Sequence, residues 1–295
     1  EVSKNNEIPG LLSFFYIMGQ LALPYVRIPV GGSNLCPRVS VFWIQDTRTG
    51  KSVAFEIIQK VMKAAGLDVI DYSTGTDAAL VGAFVQDDRD APPVQRDGVL
   101  AGRKGMNFDE GSILLKPSQH SEGTVLFLQS ALNSAGTGRN ILTKHLRDGT
   151  IQIKSEVSLW ITTFPPKGIK EHVLDKGIFQ RVLLYWRDWT LEMKRDVAHE
   201  LAAGIHNRAD HEVDFESVVH FLEDLQSRLK RRVCELNSIT SVQWDEAHDD
   251  TQEDWAMKVM DNMFTIDESY IPALIQAIDE YYSLIENMDP HKQSI

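Results

Sequence analysis

The sequence predicts an α/β core over residues 1–190, followed by an α-helical C-terminal region over residues 191–295. Three observations predict this division. Short β-branched and aromatic runs alternate with helical patterns through the first two thirds, as in a sheet layered with helices. The last third carries only helical periodicity. Charge divides at nearly the same place: residues 1–88 have a formal net charge of −2, residues 89–195 of +5 and residues 196–295 of −15.

The elements follow in order. Leu11 to Ala22 is apolar but contains Gly19 and Gln20 and runs into Pro24 and Arg27. It falls short of the roughly 18–20 apolar residues that cross a bilayer, so a core helix is expected and no membrane. The chain starts with Glu1 and enters this helix almost at once, as an excised piece of a longer protein would. Val39 to Gln45 reads as a buried strand. Ser52 to Ala65 puts Val53, Ile57, Val61 and Ala64 on one helix face, ended by Gly66. Leu67 to Ser73 is the next strand. Val99 to Ala101 is a poor strand, broken by Gly102-Arg103-Lys104-Gly105. Gly123 to Ala135 is expected to be helical. Thr150 to Phe164 reads as a hairpin leading into a buried strand, stopped by Pro165 and Pro166. Phe179 to Trp186 is a further strand. Beyond it, Trp189–Ala203, Phe215–Asn237, Asp254–Phe264 and Pro272–Met288 have helical periodicity, with acidic solvated faces.

With 43% apolar and 24% charged residues, the chain is neither disordered nor collagen-like. A total charge of −12 excludes a uniformly basic nucleic-acid coat, because phosphate is repelled unless positive charge is gathered locally. Cys36 and Cys234 are far apart with no metal-type spacing, so buried thiols in a reducing, cytoplasmic setting are expected. His199-Glu200 lacks the partner that H-E-x-x-H requires, which rejects a metalloprotease.

Directly after the first strand comes Gln45-Asp46-Thr47-Arg48-Thr49-Gly50-Lys51-Ser52, then a helix. A G-x-x-x-x-G-K-[ST] run between strand and helix is a phosphate-binding loop. Thr49, Gly50 and the helix N-terminus would present N–H groups to phosphate. Lys51 would reach the β- and γ-phosphates of ATP, and the Ser52 hydroxyl would coordinate Mg²⁺. Gln45 stands where the first glycine belongs, so the loop entry must use ordinary backbone angles.

Such a loop needs carboxylates at the end of a neighbouring strand. Asp109 is expected on the metal and Glu110 as the base that polarises water. Asp87-Asp88 and Asp249-Asp250 are rival pairs, but neither follows a strand. Thr162 or Thr163, at the end of an apolar strand, would sense the γ-phosphate. Arg181, or second Arg187, would stabilise transition-state charge on a neighbouring copy's nucleotide.

Taken in order, GKS after a strand, Asp109-Glu110, LWITTFPP and KGIFQRVLLYWRDW resemble a P-loop family of phage and bacterial proteins. That family is largely of unknown function and is similar to the ATPase half of replicative primase-helicases. The resemblance spans roughly residues 30–190 and, less distinctly, the helical tail. It implies a RecA-like ATPase core, often a hexameric ring, that translocates on single-stranded DNA beside a primase domain or protein. Gly50, Lys51, Ser52, Asp109, Glu110 and Arg181 match it; Gln45 and the broken strand before Asp109 depart from it. LWITTFPP also resembles the third motif of small viral hexameric helicases, with Phe164 where those have Asn, so RecA-like and AAA+ topologies both stay open.

Arg139, Lys144, Arg147 and Lys154 fall between the acidic motif and the sensor strand. Loops of this region line the channel of ring motors, where a positive groove tracks the backbone of a single strand. Two other functions fit the same motifs: a DNA-packaging ATPase acting on duplex, and a nucleotide-binding scaffold that hydrolyses slowly.

Overall fold

The computed structural model of the chain describes residues 6–30, 33–72, 76–86, 92–115, 122–132, 141–146, 149–165, 178–206, 215–263, 269, 272–273, 275–276 and 279. It opens with helix α1 (Glu7–Ala22), whose Tyr16, Gly19, Gln20 and Leu21 are buried. Two short antiparallel strands follow, β1 (Ile28–Val30) and β2 (Ser33–Leu35). Strand β3 (Val41–Gln45) is buried along its whole length and leads into α2 (Lys51–Ala64). Next come β4 (Val69–Asp71), α3 (Asp77–Val81), the antiparallel pair β5 (Gly82–Val85) and β6 (Val94–Asp97), and β7 (Gly102–Phe108). Helices α4 (Ser112–Leu115) and α5 (Glu122–Leu132) precede β8 (Ile141–Leu146), β9 (Gly149–Thr163) and β10 (Leu183–Arg187). The rest is helical: α6 (Leu191–His206), α7 (Phe215–Asn237), α8 (Ser241–Glu246) and α9 (Asp249–Met263).

The central sheet runs β10-β3-β9-β7-β4, all parallel, with β8 antiparallel on the first half of β9. Alternation along β3 sorts its side chains onto two faces. Trp43 packs with Tyr16, Ile58, Met62 and Trp160 beneath α1 and α2. Phe42 and Ile44 face the other way, into a core with Leu80, Val125 and Leu128 from α3 and α5. Buried on both sides, a parallel strand carries the continuous apolar run seen in β3 and the end of β9. The fold class is therefore a helix–sheet–helix α/β architecture, as the alternating pattern predicts.

The helical region packs back onto this core. Leu222 of α7 sits against Leu21 of α1 and Val61 and Ala65 of α2. Val233 and Cys234 join Trp244 of α8 around Tyr25. Both cysteines are free thiols, Cys234 buried and Cys36 half-buried. Arg27, fully buried, bonds Glu156 of β9 at 3.0 Å and Glu253 of α9 at 3.2 Å. Among the described residues, no helix is long and apolar enough to cross a membrane.

Three strands differ from expectation, and α2 turns a different face inward: Val53 and Ile57 are exposed, while Ile58, Val61 and Met62 are buried. The strand before Asp109 runs through the Gly-Arg-Lys-Gly segment that local pattern treats as a break. Tertiary partners make this tolerable: Arg103 pairs with the buried Glu156 at 2.7 Å, and Lys104 lies 3.8 Å from Asp68. Gly105 leaves room for Tyr16, whose hydroxyl would stand 2.7 Å from an added Cβ. The expected 150–164 hairpin is instead one 15-residue strand, paired with a separate β8. The expected 179–186 strand begins later, because Phe179–Arg181 forms a 3₁₀ turn.

Candidate functional site

The C-terminal ends of β3, β9 and β7 meet at one edge of the sheet, the edge where open α/β sheets bind ligands. Register aligns them: Ile44 pairs with Thr163, and Phe108 with Ile161. The loop after β3, the hydroxyls ending β9 and the acids after β7 thus converge from distant parts of the chain.

The loop turns tightly. Gly50 has φ of +88° and Arg48 φ of +62°, two left-handed residues with Thr49 between them. Glycine takes this conformation freely, whereas at Arg48 it costs about 1–2 kcal/mol. Gln45 keeps ordinary angles as the last residue of β3 and is fully buried. Thr49 Oγ1 donates to Asp46 O at 2.8 Å, closing the turn from inside.

Lys51 opens α2 and is 7% exposed. Its ammonium donates to the loop carbonyls of Gln45 and Asp46 and lies 4.5 Å from the centre of the Phe164 ring. Burial pushes its pKa down to about 8, against the pull of Glu110, Asp46 and Asp109. A desolvated ammonium poised between loop carbonyls is well suited to exchange them for anionic oxygen.

The acids bond to the other motifs. Ser52 Oγ donates to Asp109 Oδ1 at 3.3 Å, and both side chains are exposed. Thr163 Oγ1 donates to Glu110 Oε1 at 2.7 Å, and the Ser112 amide donates to the same oxygen at 2.9 Å. Thr162 Oγ1 donates instead to the Asp109 carbonyl at 2.7 Å, and Thr162 O accepts from the Gly111 amide at 2.8 Å. Thr162 therefore fixes the backbone of the acidic turn, while Thr163 fixes the Glu110 side chain. Among the described residues, no three His, Cys, Asp or Glu cluster as metal ligands. The Ser52 and Asp109 oxygens suit Mg²⁺, which takes few protein ligands and completes its shell with water and phosphate.

Thr49, Gly50, Lys51, Ser52, Asp109, Glu110 and Thr163 are thus brought to one edge. Arg181 is not among them. Leu183 pairs with Val41, so Arg181 precedes the opposite end of β10, far from the loop in its own chain. Arg187 pairs with Gln45 and stands at the loop's edge, its Nη2 4.0 Å from Met193 Sδ.

The basic residues separate as well. Lys144 on β8 lies 5.8 Å over the Phe127 ring. Lys154 points its ammonium between Asp250 at 2.6 Å and Glu253 at 2.5 Å, so a phosphate would have to displace α9. Arg139 and Arg147 lie outside the described residues.

Three further groups touch the loop. Asn6 donates to Thr49 O at 2.7 Å, Lys194 of α6 bonds Asp46 at 2.5 Å, and Phe164 covers Lys51. Only Phe164 carried a signal, as the residue after the sensor threonines. No protein-family model and no curated protein matches the chain.

Proposed function

We propose that this chain is the ATP-hydrolysing core of a DNA helicase or translocase, a P-loop fold of RecA-like or related AAA+ type. It acts on single-stranded DNA as a homo-oligomeric, hexameric ring in the cytoplasm, beside a primase domain or protein of a phage or mobile-element replication system. One observation carries the reading: the hydrogen bonds Ser52–Asp109 and Thr163–Glu110 join four motif residues around the Gly50-Lys51 turn. Neither pair is close in sequence, and a helix cap with an exposed Lys and Ser would not call for them.

Each residue then has a defined task. Lys51 trades the Gln45 and Asp46 carbonyls for the β- and γ-phosphate oxygens of ATP. Bound Mg²⁺ supplies charge neutralisation at those phosphates, and Ser52 and Asp109 are the residues that would hold it. Thr163 and the Ser112 amide grip one oxygen of Glu110, leaving the other to accept a proton from the attacking water. Arg181 reaches a γ-phosphate only on a neighbouring copy. Lys144, with Arg139 and Arg147, is the set left for the DNA backbone, given the ion pairs of Lys154.

A second reading, a nucleotide-binding scaffold with slow hydrolysis, draws on the bonds that already hold the Lys51 ammonium. Mg²⁺-dependent ATP turnover of the chain and of Lys51→Ala, with no DNA, single strand or duplex, separates the cases. Turnover stimulated by single strands and abolished in Lys51→Ala is expected. Equal stimulation by duplex would favour a packaging ATPase, and binding with no turnover the scaffold.

A further inference from the structure

Asn6 occupies the N-cap of α1, where an asparagine side chain ordinarily accepts a bond from the helix's own first-turn amides. It makes no such cap. Its amide reaches the β3–α2 loop instead: Nδ2 donates to Thr49 O at 2.7 Å, and Oδ1 accepts from Gln45 Nε2 at 3.3 Å. Gln45 Oε1 in turn accepts from Trp43 Nε1.

The direction of this relay is set by chemistry. An indole N–H only donates, so Gln45 must turn its oxygen to Trp43 and its NH₂ to Asn6. That leaves the Asn6 NH₂ for a carbonyl, which Thr49 provides. In a trans peptide the C=O and the following N–H point in opposite directions, and the described chain has no cis peptide. Holding Thr49 O toward α1 therefore aims the Gly50 N–H away from it. The restraint acts on a turn that holds Arg48 in the left-handed region, a strained conformation for a residue with a side chain.

We infer that Asn6 and Gln45 are positioning residues for the phosphates of a nucleotide, holding the Thr49–Gly50 peptide with its N–H toward them. The inference rests on the nucleotide-binding reading above. It also accounts for Gln45 in place of the first glycine of the loop pattern: a buried side-chain strut, not backbone freedom, shapes the loop entry.

Aspartate is as good an N-cap as asparagine and has the same shape, but its ionised carboxylate cannot donate to Thr49 O. Asn6→Asp thus breaks the relay while keeping the shape of the side chain, and Asn6→Ala breaks it without adding charge. Calorimetric titration of the full chain with ATPγS, ADP and AMP in Mg²⁺ reads the effect, with Lys51→Ala alongside. Both Asn6 variants are expected to bind ATPγS and ADP about tenfold more weakly, the loss of roughly one strong hydrogen bond. Affinity for AMP, which lacks the β-phosphate, stays unchanged, and so does the unliganded melting temperature to within about 2 °C. Wild-type affinity in both variants, a loss shared by AMP, or a lowered melting temperature with intact affinity would each overturn the positioning role and leave nucleotide binding standing. No binding by the unsubstituted chain, or Lys51→Ala binding like it, would instead remove the nucleotide reading and the inference with it.

Discussion

The Ser52 hydroxyl donates to Asp109 Oδ1 over 3.3 Å, tying the first turn of α2 to the residue after β7, 57 positions away in sequence. On the proposed reading these two exposed oxygens would hold Mg²⁺, with water and phosphate completing its octahedral shell. Ser52→Ala is expected to raise the Mg²⁺ concentration that half-saturates turnover by about tenfold or more. Turnover against Mg²⁺ at fixed ATP checks this, and an unchanged requirement would separate Ser52 from the metal.

Lys51 titrates near 8 because burial disfavours its charge more than Glu110, Asp46 and Asp109 favour it. Folding therefore works against this ammonium below pH 8, and the penalty fades as pH rises from about 8 toward the ordinary lysine value of 10.5. At pH 8 Lys51 carries far more free amine than an ordinary lysine does. Pulse labelling with an amine-reactive ester at pH 8, read by mass spectrometry, should therefore modify Lys51 despite its burial. ATP should protect it. Labelling of Lys51 that ATP leaves unaltered would contradict its role at phosphate.

Glu156 lies 2% exposed between Arg27 and Arg103. Burial alone would raise its pKa, but the two guanidiniums outweigh burial and hold the carboxyl below its ordinary value. Its contribution is thus fully present above the ordinary value of 4.5 and lost as pH falls below it. Glu156→Gln is expected to cost about 1.5–3 kcal/mol of unfolding free energy at pH 7, the worth of a charged hydrogen bond, because Arg27 keeps Glu253 and Arg103 keeps Asp249. Denaturant unfolding at pH 7 and below pH 4 should show the gap between the two chains shrinking with acid. A gap that stays constant would mean the pair is not the cause.

Local pattern made β3 and α7 legible, because each buries one continuous run or one stripe: the first residues of β3 line up as Val41, Phe42, Trp43 and Ile44, all fully or nearly fully buried. It made α2 legible as a helix but misplaced its inward face, because Val53, Ile57 and Ala64 are exposed and Ile58, Val61 and Met62 are the residues that pack. The loop and its acids were legible as residue types at ordered spacing. What pairwise bonds they make was not, since Thr162 and Thr163 are neighbours of one kind and only the pleat sends one to Asp109 O and the other to Glu110. Strand β7 was hidden by Arg103 and Gly105, whose partners, Glu156 and Tyr16, lie 53 residues later in one case and in the first helix in the other. Asn6 and Lys194 were hidden for the same reason: their contacts to the loop are long-range and leave no period in the sequence. Lys154, expected to line a nucleic-acid channel, is instead paired with Asp250 and Glu253 of α9, contacts about a hundred residues away that leave no local pattern.

The central claim, that Glu110 activates water at a nucleotide held by the Gly50-Lys51-Ser52 loop, is tested most directly by Glu110→Gln. Equilibrium ATP binding and single-turnover hydrolysis should be measured on the same preparations with Mg²⁺. The amide can still accept the Thr163 hydrogen bond but cannot take a proton, so affinity should stay within about twofold while hydrolysis falls by about 100-fold or more. Hydrolysis by Glu110→Gln at the unsubstituted rate, or a chain that binds no ATP at all, would contradict the account.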